Sequence, residues 1–179
     1  MASLLNHNHF ELFGLPERFA IDARALAERY RELQQRLHPD RFASASDAER
    51  RLSLQHTAQV NEAHSTLKDP LARARYLLHL RGVDWDDEQD TMMDPGFLME
   101  QMERREALED AATRDDPLAA VGAVLEGVSA SIGSELAALE EQFGRLDLAA
   151  ARDSVRRLQF LYRLRQDAEE REAELEDAL

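Results

Sequence analysis

The sequence contains no cysteine, and aromatic residues make up only 6% of its 179 residues. The absence of cysteine excludes disulfides, zinc knuckles and cysteine-ligated clusters. The scarcity of aromatic side chains argues against a stacking platform for single-stranded nucleic acid. Seven glycines and five prolines are too few for a β-rich or low-complexity chain. Alanine, leucine, glutamate and arginine dominate instead, and this composition predicts an all-α fold.

Long apolar runs and targeting signals are also missing. No run of apolar residues approaches the roughly 20 that a transmembrane helix needs. The first residues lack the basic and apolar regions of a signal peptide, and they lack the arginine-rich amphipathic pattern of a transit peptide. We therefore expect a cytoplasmic protein that has no membrane partner.

Charge is distributed unevenly along the chain. The formal net charge is −14, of which residues 1–83 contribute +2 and residues 84–179 contribute −16. Phosphate contacts require local positive charge, so the acidic half argues against a nucleic-acid partner. On charge alone two interpretations remain: two units with different partners, or an acidic half that only keeps the protein soluble.

Capping residues and apolar spacing predict a helical hairpin in the first half. Asp22 can cap a helix that runs to about Leu37, where the following His-Pro pair ends it because proline disfavours the α conformation in the preceding residue. Residues 46–49 have the capping-box pattern that begins a second long helix, to about Leu67. The apolar stripe of the first helix consists of Leu26, Tyr30, Leu33 and Leu37.

Asp-Pro pairs mark the predicted starts of three further helices, because aspartate caps a helix and proline suits its first position. These pairs are Asp69-Pro70, Asp94-Pro95 and Asp116-Pro117. The first pair begins a helix from Leu71 to Leu80, which Gly82 closes. Ahead of the hairpin, an apolar opening ends in a turn at Gly14 and Pro16.

An acidic stretch around Trp85 marks the predicted domain boundary. We predict a first domain over residues 1–83, an acidic linker over 84–93, and an antiparallel three-helix bundle over 94–179. The bundle helices are expected from about Asp94 to Thr113, along the apolar stripe from Leu118 to Phe143, and from about Leu148 onward. Gly144 and Asp147 are predicted to form the last turn.

Two helices of the predicted bundle carry apolar residues on a second face. At ~100° per residue, Phe97 and Leu108 fall on one side of the first helix, whereas methionines and carboxylates fall on the other. In the last helix, Phe160 points away from the stripe of Ala151, Val155, Leu158 and Tyr162, with Leu164 near it. One interpretation is that these are the single exposed apolar side chains common on protein surfaces, or that the first domain packs on them. An adaptable protein-binding patch is the competing interpretation.

The tripeptide His38-Pro39-Asp40 lies between the two helices of the predicted hairpin. Taken singly, it would be only a helix stop with a solvated aspartate. Together with its surroundings, the chain from about residue 10 to 80 resembles the J-domain, in which two helices embrace such a loop. The flanking segments that carry this resemblance are Tyr30–Leu33, Arg41–Phe42, Val60–Leu67 and Ala74–Tyr76.

The resemblance extends over practically the whole chain. The sequence is similar to the HscB family, the J-domain co-chaperones of iron–sulfur cluster assembly. The matching segments are His9–Pro16, His38–Ala43, Ala72–Leu78 and Phe97–Gln101. The chain looks like a bacterial form, because it lacks the metal-binding cysteines that some eukaryotic relatives carry near the N-terminus.

The resemblance implies two binding surfaces. The J-domain would bind a DnaK-type ATPase, HscA, and stimulate its ATP hydrolysis. The residues implied in that contact are His38, Pro39, Asp40, Tyr30, Arg31, Arg36 and Arg41. The bundle would hold the cluster scaffold IscU and deliver it to the chaperone. The scaffold-binding positions are Leu98, Met99, Met102, Glu103, Glu106, Asp110 and Phe160, of which Met102 and Asp110 are conservative departures from the family.

The tripeptide has a physical basis for binding an ATPase. Pro39 fixes the backbone, so the loop loses little freedom when it binds. Asp40 can accept charge-assisted hydrogen bonds from an arginine of the partner. Nearby arginines supply positive charge toward an acidic patch on that partner.

No pattern of catalytic chemistry is present. The sequence has no Ser-His-Asp triad pattern with its serine in a glycine-flanked turn. It also has no phosphate-binding glycine loop and no paired histidines at metal-ligand spacing on one helix. We therefore expect no enzymatic activity, no catalytic residue, no cofactor and no metal site. The main alternative is a J-domain co-chaperone that serves a different client.

Overall fold

The computed structural model describes residues 7–38, 46–83, 95–111 and 113–178. These residues form helices and their connections and contain no strand, so the predicted all-α fold is confirmed. The helices are α1 (His9–Phe13), α2 (Ala23–Leu37), α3 (Asp47–Lys68), α4 (Pro70–Leu80), α5 (Pro95–Ala111), α6 (Pro117–Arg145) and α7 (Leu148–Asp177). Residues contact one another mainly within two compact units, Met1–Arg81 and Gly82–Leu179.

The caps that the sequence predicts are present wherever the structure describes them. The Asp22 side chain accepts hydrogen bonds from the first turn of α2, and Ser46 with Glu49 forms the capping box of α3. Asp69 and Asp116 cap α4 and α6, each with proline in the first turn. Asp94 lies outside the described residues, as does Trp85.

Helix α1 is an element that the sequence did not predict. Asn8 caps it, in a reciprocal capping box with Glu11, and Gly14 ends it in the left-handed conformation at φ +62°. The helix has only five residues, which is too short to show a helical period. Its Phe10 and Phe13 are nevertheless almost fully buried, so α1 supplies much of the core of the first unit.

The first unit is built around α3, which contacts α1, α2 and α4. The central apolar stripe of α3 consists of Val60, Ala63 and Leu67, which are buried and follow one another at helical spacing. Leu26 and Leu37 of α2 are buried, but Tyr30 and Leu33 are only half-buried, so the predicted stripe of α2 is narrower than expected.

The second unit consists of α5, α6 and α7. The main pairing is between α6 and α7, which a two-residue connection makes antiparallel. Val121, Val128, Ile132 and Leu139 of α6 are buried, whereas the other members of the predicted stripe are half-buried: Leu118, Leu125, Leu136 and Phe143. Of α5, only Leu108 and Ala111 are fully buried among the residues described.

Two expectations about the bundle are wrong. The core stripe of α7 continues through Leu161 and Leu164, whereas Tyr162 is half-exposed, because this helix packs against both α5 and α6. In addition, Gly144 stays helical, and the turn is made by Leu146 at φ +58° followed by the N-cap Asp147.

Within the described residues, one helix, α6, is long and apolar enough to cross a membrane by length and composition alone. The prediction that no stretch approaches that size needs correcting for this helix. In α6, 17% of the apolar window is buried, and the helix packs against α7.

Candidate partner-binding surfaces

The end of α2 presents the first of the predicted contact residues. His38 follows the last helical residue as the C-cap, with φ −55° and ψ 132°, and it is exposed. Helix α2 therefore ends at Leu37, where the sequence predicted. Pro39, Asp40 and Arg41 lie outside the described residues.

A groove of about 390 Å³ opens between α2 and α3 beside His38. It is lined by Arg31, Gln34, Gln35, Leu37, His38 and Thr57. Arg31 and Arg36 are exposed, so the cationic charge expected of this helix is available to a partner. The lining also includes the apolar side chain of Leu37, which is 9% exposed.

Tyr30 is half-buried and contributes to the packing of the first unit. Its ring stacks on His64 at a centroid distance of 3.8 Å, and its hydroxyl donates to Asn61 Oδ1 at 3.0 Å. Gln34 Nε2 in turn donates to the same hydroxyl at 2.5 Å. These contacts hold α2 against α3 and thereby set the direction of the helix that carries the predicted ATPase contacts.

Two histidines of the first unit stack on tyrosines and prefer the neutral form. Burial lowers the pKa of His64, and the charge of Lys68 lowers it further. His9 stacks on Tyr76 at 4.1 Å; burial lowers its pKa, with a smaller opposing effect from Glu62. The Tyr76 hydroxyl accepts a hydrogen bond from the His9 backbone N–H at 3.0 Å.

The outward face of α5 is the second candidate surface. Leu98 is 44% exposed, and Met99 and Met102 are each 64% exposed. Glu103, Glu106 and Asp110 are exposed as well. Exposure of two methionines beside carboxylates fits an adaptable contact surface with a preference for a basic partner.

The orientation of Phe160 differs from the prediction. Its ring is half-buried and meets Phe97 edge to face, with centroids 5.9 Å apart and planes at 85°. Leu164, expected near it on the outward face, is 1% exposed and belongs to the core. The helical projection placed these residues opposite one apolar stripe, whereas Phe97 of α5 packs on the side where Phe160 lies.

Several residues that shape these surfaces were not predicted. Ser53 is buried, and its hydroxyl donates to the backbone oxygen of Leu37 at 3.2 Å, which ties α3 to the last turn of α2. Ser53 and His56 continue the helical spacing of the α3 core, and that periodicity is a signal the sequence contains. Arg157 contacts residues of α5 and α6, and nothing in the sequence marked it.

Comparison with known proteins gives consistent results for sequence and structure. Residues 93–169 match the family model described as the HSCB C-terminal oligomerisation domain. The co-chaperone protein HscB homolog of Aliivibrio fischeri is 46% identical over 168 residues, which cover 94% of this chain and 98% of that protein.

Solved structures agree over nearly the same length. Chaperone HscB from Vibrio cholerae superposes with a TM-score of 0.86 at 45% identity, covering 94% of this chain and 99% of that one. The human co-chaperone protein HscB gives a TM-score of 0.86 at 29% identity, with coverage of 93% and 82%. By identity and coverage, this chain belongs to the HscB family of co-chaperones.

Proposed function

We propose that this protein is the co-chaperone that links a DnaK-type ATPase, HscA, to the iron–sulfur cluster scaffold IscU in the cytoplasm. The first unit is the J-domain that stimulates ATP hydrolysis. The second unit is the bundle that holds the scaffold, and the acidic stretch 84–93 is the linker between them. The protein itself supplies binding surfaces and no catalytic group.

The observation that carries this proposal is the exposure of the α5 face within a chain of this family. Leu98, Met99 and Met102 expose large apolar side chains next to acidic ones, which is costly for solubility unless a partner covers them. At the other site, His38 is exposed at the end of α2 beside a groove whose lining includes Arg31. Asp40 would add a carboxylate that can accept hydrogen bonds from an arginine of the ATPase.

The proposal is tested first at the scaffold. We expect the double variant Met99→Ala, Met102→Ala to lower IscU affinity by about tenfold or more, because central apolar contacts carry much of the binding energy of an interface. Both side chains are exposed, so the variant should keep its thermal stability. Isothermal calorimetry with purified IscU measures the affinity. Leu54→Ala, at a leucine 62% exposed in the first unit, is the matched control.

The ATPase contact needs its own variant. Asp40→Asn should abolish the stimulation of HscA, while IscU affinity and helicity stay unchanged. Retained stimulation would contradict the role of the tripeptide, and unchanged IscU affinity in the methionine variant would contradict the role of the α5 face. Wild-type protein that stimulates HscA without binding IscU would indicate a co-chaperone with a different client.

A further inference from the structure

The first half of α5 is held to the bundle by few side chains. Of residues 95–107, all of which the structure describes, none is fully buried, and Phe97, Gln101 and Arg104 are half-buried. The two buried residues of this helix, Leu108 and Ala111, lie in its last turns. Leu98, Met99 and Met102 thus belong to the weakly attached half, and their position depends on the contacts of their half-buried neighbours.

Arg157 of α7 joins this half of α5 to the other two helices. Its guanidinium carbon lies 5.8 Å from the ring centroid of Phe97, and its Nη1 lies 3.6 Å from Glu135 Oε1 of α6. Phe97 in turn packs edge to face on Phe160, one turn from Arg157 on the same helix. The Phe97 ring therefore contacts a cation and a second aromatic ring, both provided by α7.

The carboxylate of Glu135 favours this position of the guanidinium, although the Arg157 side chain is 41% exposed. The Glu135 side chain is only 20% exposed, and its Oε2 is buried without a hydrogen-bond partner. A largely buried carboxylate needs a positive charge beside it, and Arg157 provides that charge. A planar guanidinium can face a carboxylate and a ring at once, which the point charge of a lysine does less well.

We propose that Arg157 is a positioning residue for client binding: it fixes Phe97 and so sets how α5 presents Leu98, Met99 and Met102. This inference rests on the proposed function, in which that face binds IscU. Arg157 acts through Phe97 and need not touch the client itself.

The test uses Arg157→Gln in the full-length protein. We expect IscU affinity to fall by about threefold to tenfold, which corresponds to loss of a cation–π contact of ~0.7–1.4 kcal/mol. In the free protein, amide hydrogen exchange over residues 97–107 should accelerate by a similar factor, while exchange in the first unit and HscA stimulation stay unchanged. Arg157→Lys should recover part of the affinity.

The control and the coupling experiment make the inference falsifiable. Arg163→Gln removes the same charge from an exposed position of α7 and should leave both readouts unchanged. In a Phe97→Leu background, Arg157→Gln should cost little further affinity, because the two residues act as one unit. Additive losses, an equal loss in the control, or unchanged exchange in α5 would overturn the inference.

The exchange measurement also separates this inference from the proposed function. If wild-type protein does not bind IscU, the proposed function fails, but accelerated exchange in Arg157→Gln would still support the role of Arg157 in fixing α5. If IscU binds and only the methionine variant loses affinity, the proposed function stands and the role of Arg157 is contradicted.

Discussion

Leu146 shows how a single residue can carry strain at the tip of a helical hairpin. It adopts φ +58° and ψ 28°, and its side chain is 64% exposed. A left-handed conformation costs a residue with a Cβ roughly 1–2 kcal/mol, and an exposed leucine recovers little of that by burial. Glycine two positions earlier cannot relieve the strain, because Gly144 lies inside the helix.

Replacing Leu146 by glycine should therefore stabilise the protein. We expect Leu146→Gly to raise the free energy of unfolding of the second unit by about 0.5–1 kcal/mol, the strain relieved less the greater entropy of glycine in the unfolded chain. Urea denaturation followed by circular dichroism measures it. Ala137→Gly, at an exposed helical position of α6, should instead lower stability by about 1 kcal/mol. A loss of stability in Leu146→Gly would show that the leucine makes a contact worth more than the strain.

At the scale of the element, the end of α7 has the wrong charge for a helix C-terminus. Its last turn has no basic residue, and Glu174, Glu176 and Asp177 lie close to the negative end of the helix dipole. Negative charge there is unfavourable by a few tenths of a kcal/mol per residue. Arg171 pairs with Glu174 at 3.2 Å, but both are exposed, so the compensation is small.

Reversing one of these charges should strengthen the helix. Glu176→Lys is expected to stabilise the second unit by about 0.3–1 kcal/mol at low ionic strength, and 0.5 M salt should reduce that gain by screening. Thermal unfolding at both salt concentrations measures it. Glu126→Lys makes the same change of net charge at an exposed position far from a helix end. An equal gain in that control would assign the effect to net charge instead of the dipole.

At the scale of the whole molecule, the two histidines whose pKa is lowered tie the stability of the first unit to pH. The lowered pKa values of His9 and His64 belong to the first unit and arise mainly from burial. Between a lowered pKa and the ordinary value of 6.5, the unfolded chain binds more protons than the folded one, so stability rises with pH. Above about pH 6.5 both histidines are neutral in the folded and the unfolded chain, and the stability of the first unit is fully present. As the pH falls through that window, the first unit loses stability because the unfolded chain takes up protons more readily.

We therefore expect acidification from pH 7.5 to 5 to lower the stability of the first unit through these two histidines. His64→Phe, which keeps a ring against Tyr30 but cannot take up a proton, should weaken this pH dependence. Amide exchange of α3 at several pH values measures the effect within the first unit. His7→Gln, at an exposed histidine, should keep the wild-type profile. An unchanged pH dependence in His64→Phe would show that its titration does not contribute.

The sequence by itself determined the helices and their boundaries to within a few residues. Aspartate and serine caps, prolines and apolar periods act locally, through hydrogen bonds and backbone restrictions of neighbouring residues. The exposed methionines of α5 were also predictable. Projecting the residues of a single helix around its axis is enough to separate its apolar core face from the opposite face. Helix α1 was not predicted because five residues are too few to show the helical repeat of apolar side chains.

Only the tertiary structure decided which faces of α7 are covered. The burial of Leu164, the half-burial of Phe160 beside Phe97, and the bridge of Arg157 to Glu135 depend on where α5 packs against the hairpin of α6 and α7. Likewise, the hydrogen bond from Ser53 to Leu37 joins residues 16 positions apart. Such contacts join helices that are distant in sequence, and no local rule fixes their relative rotation.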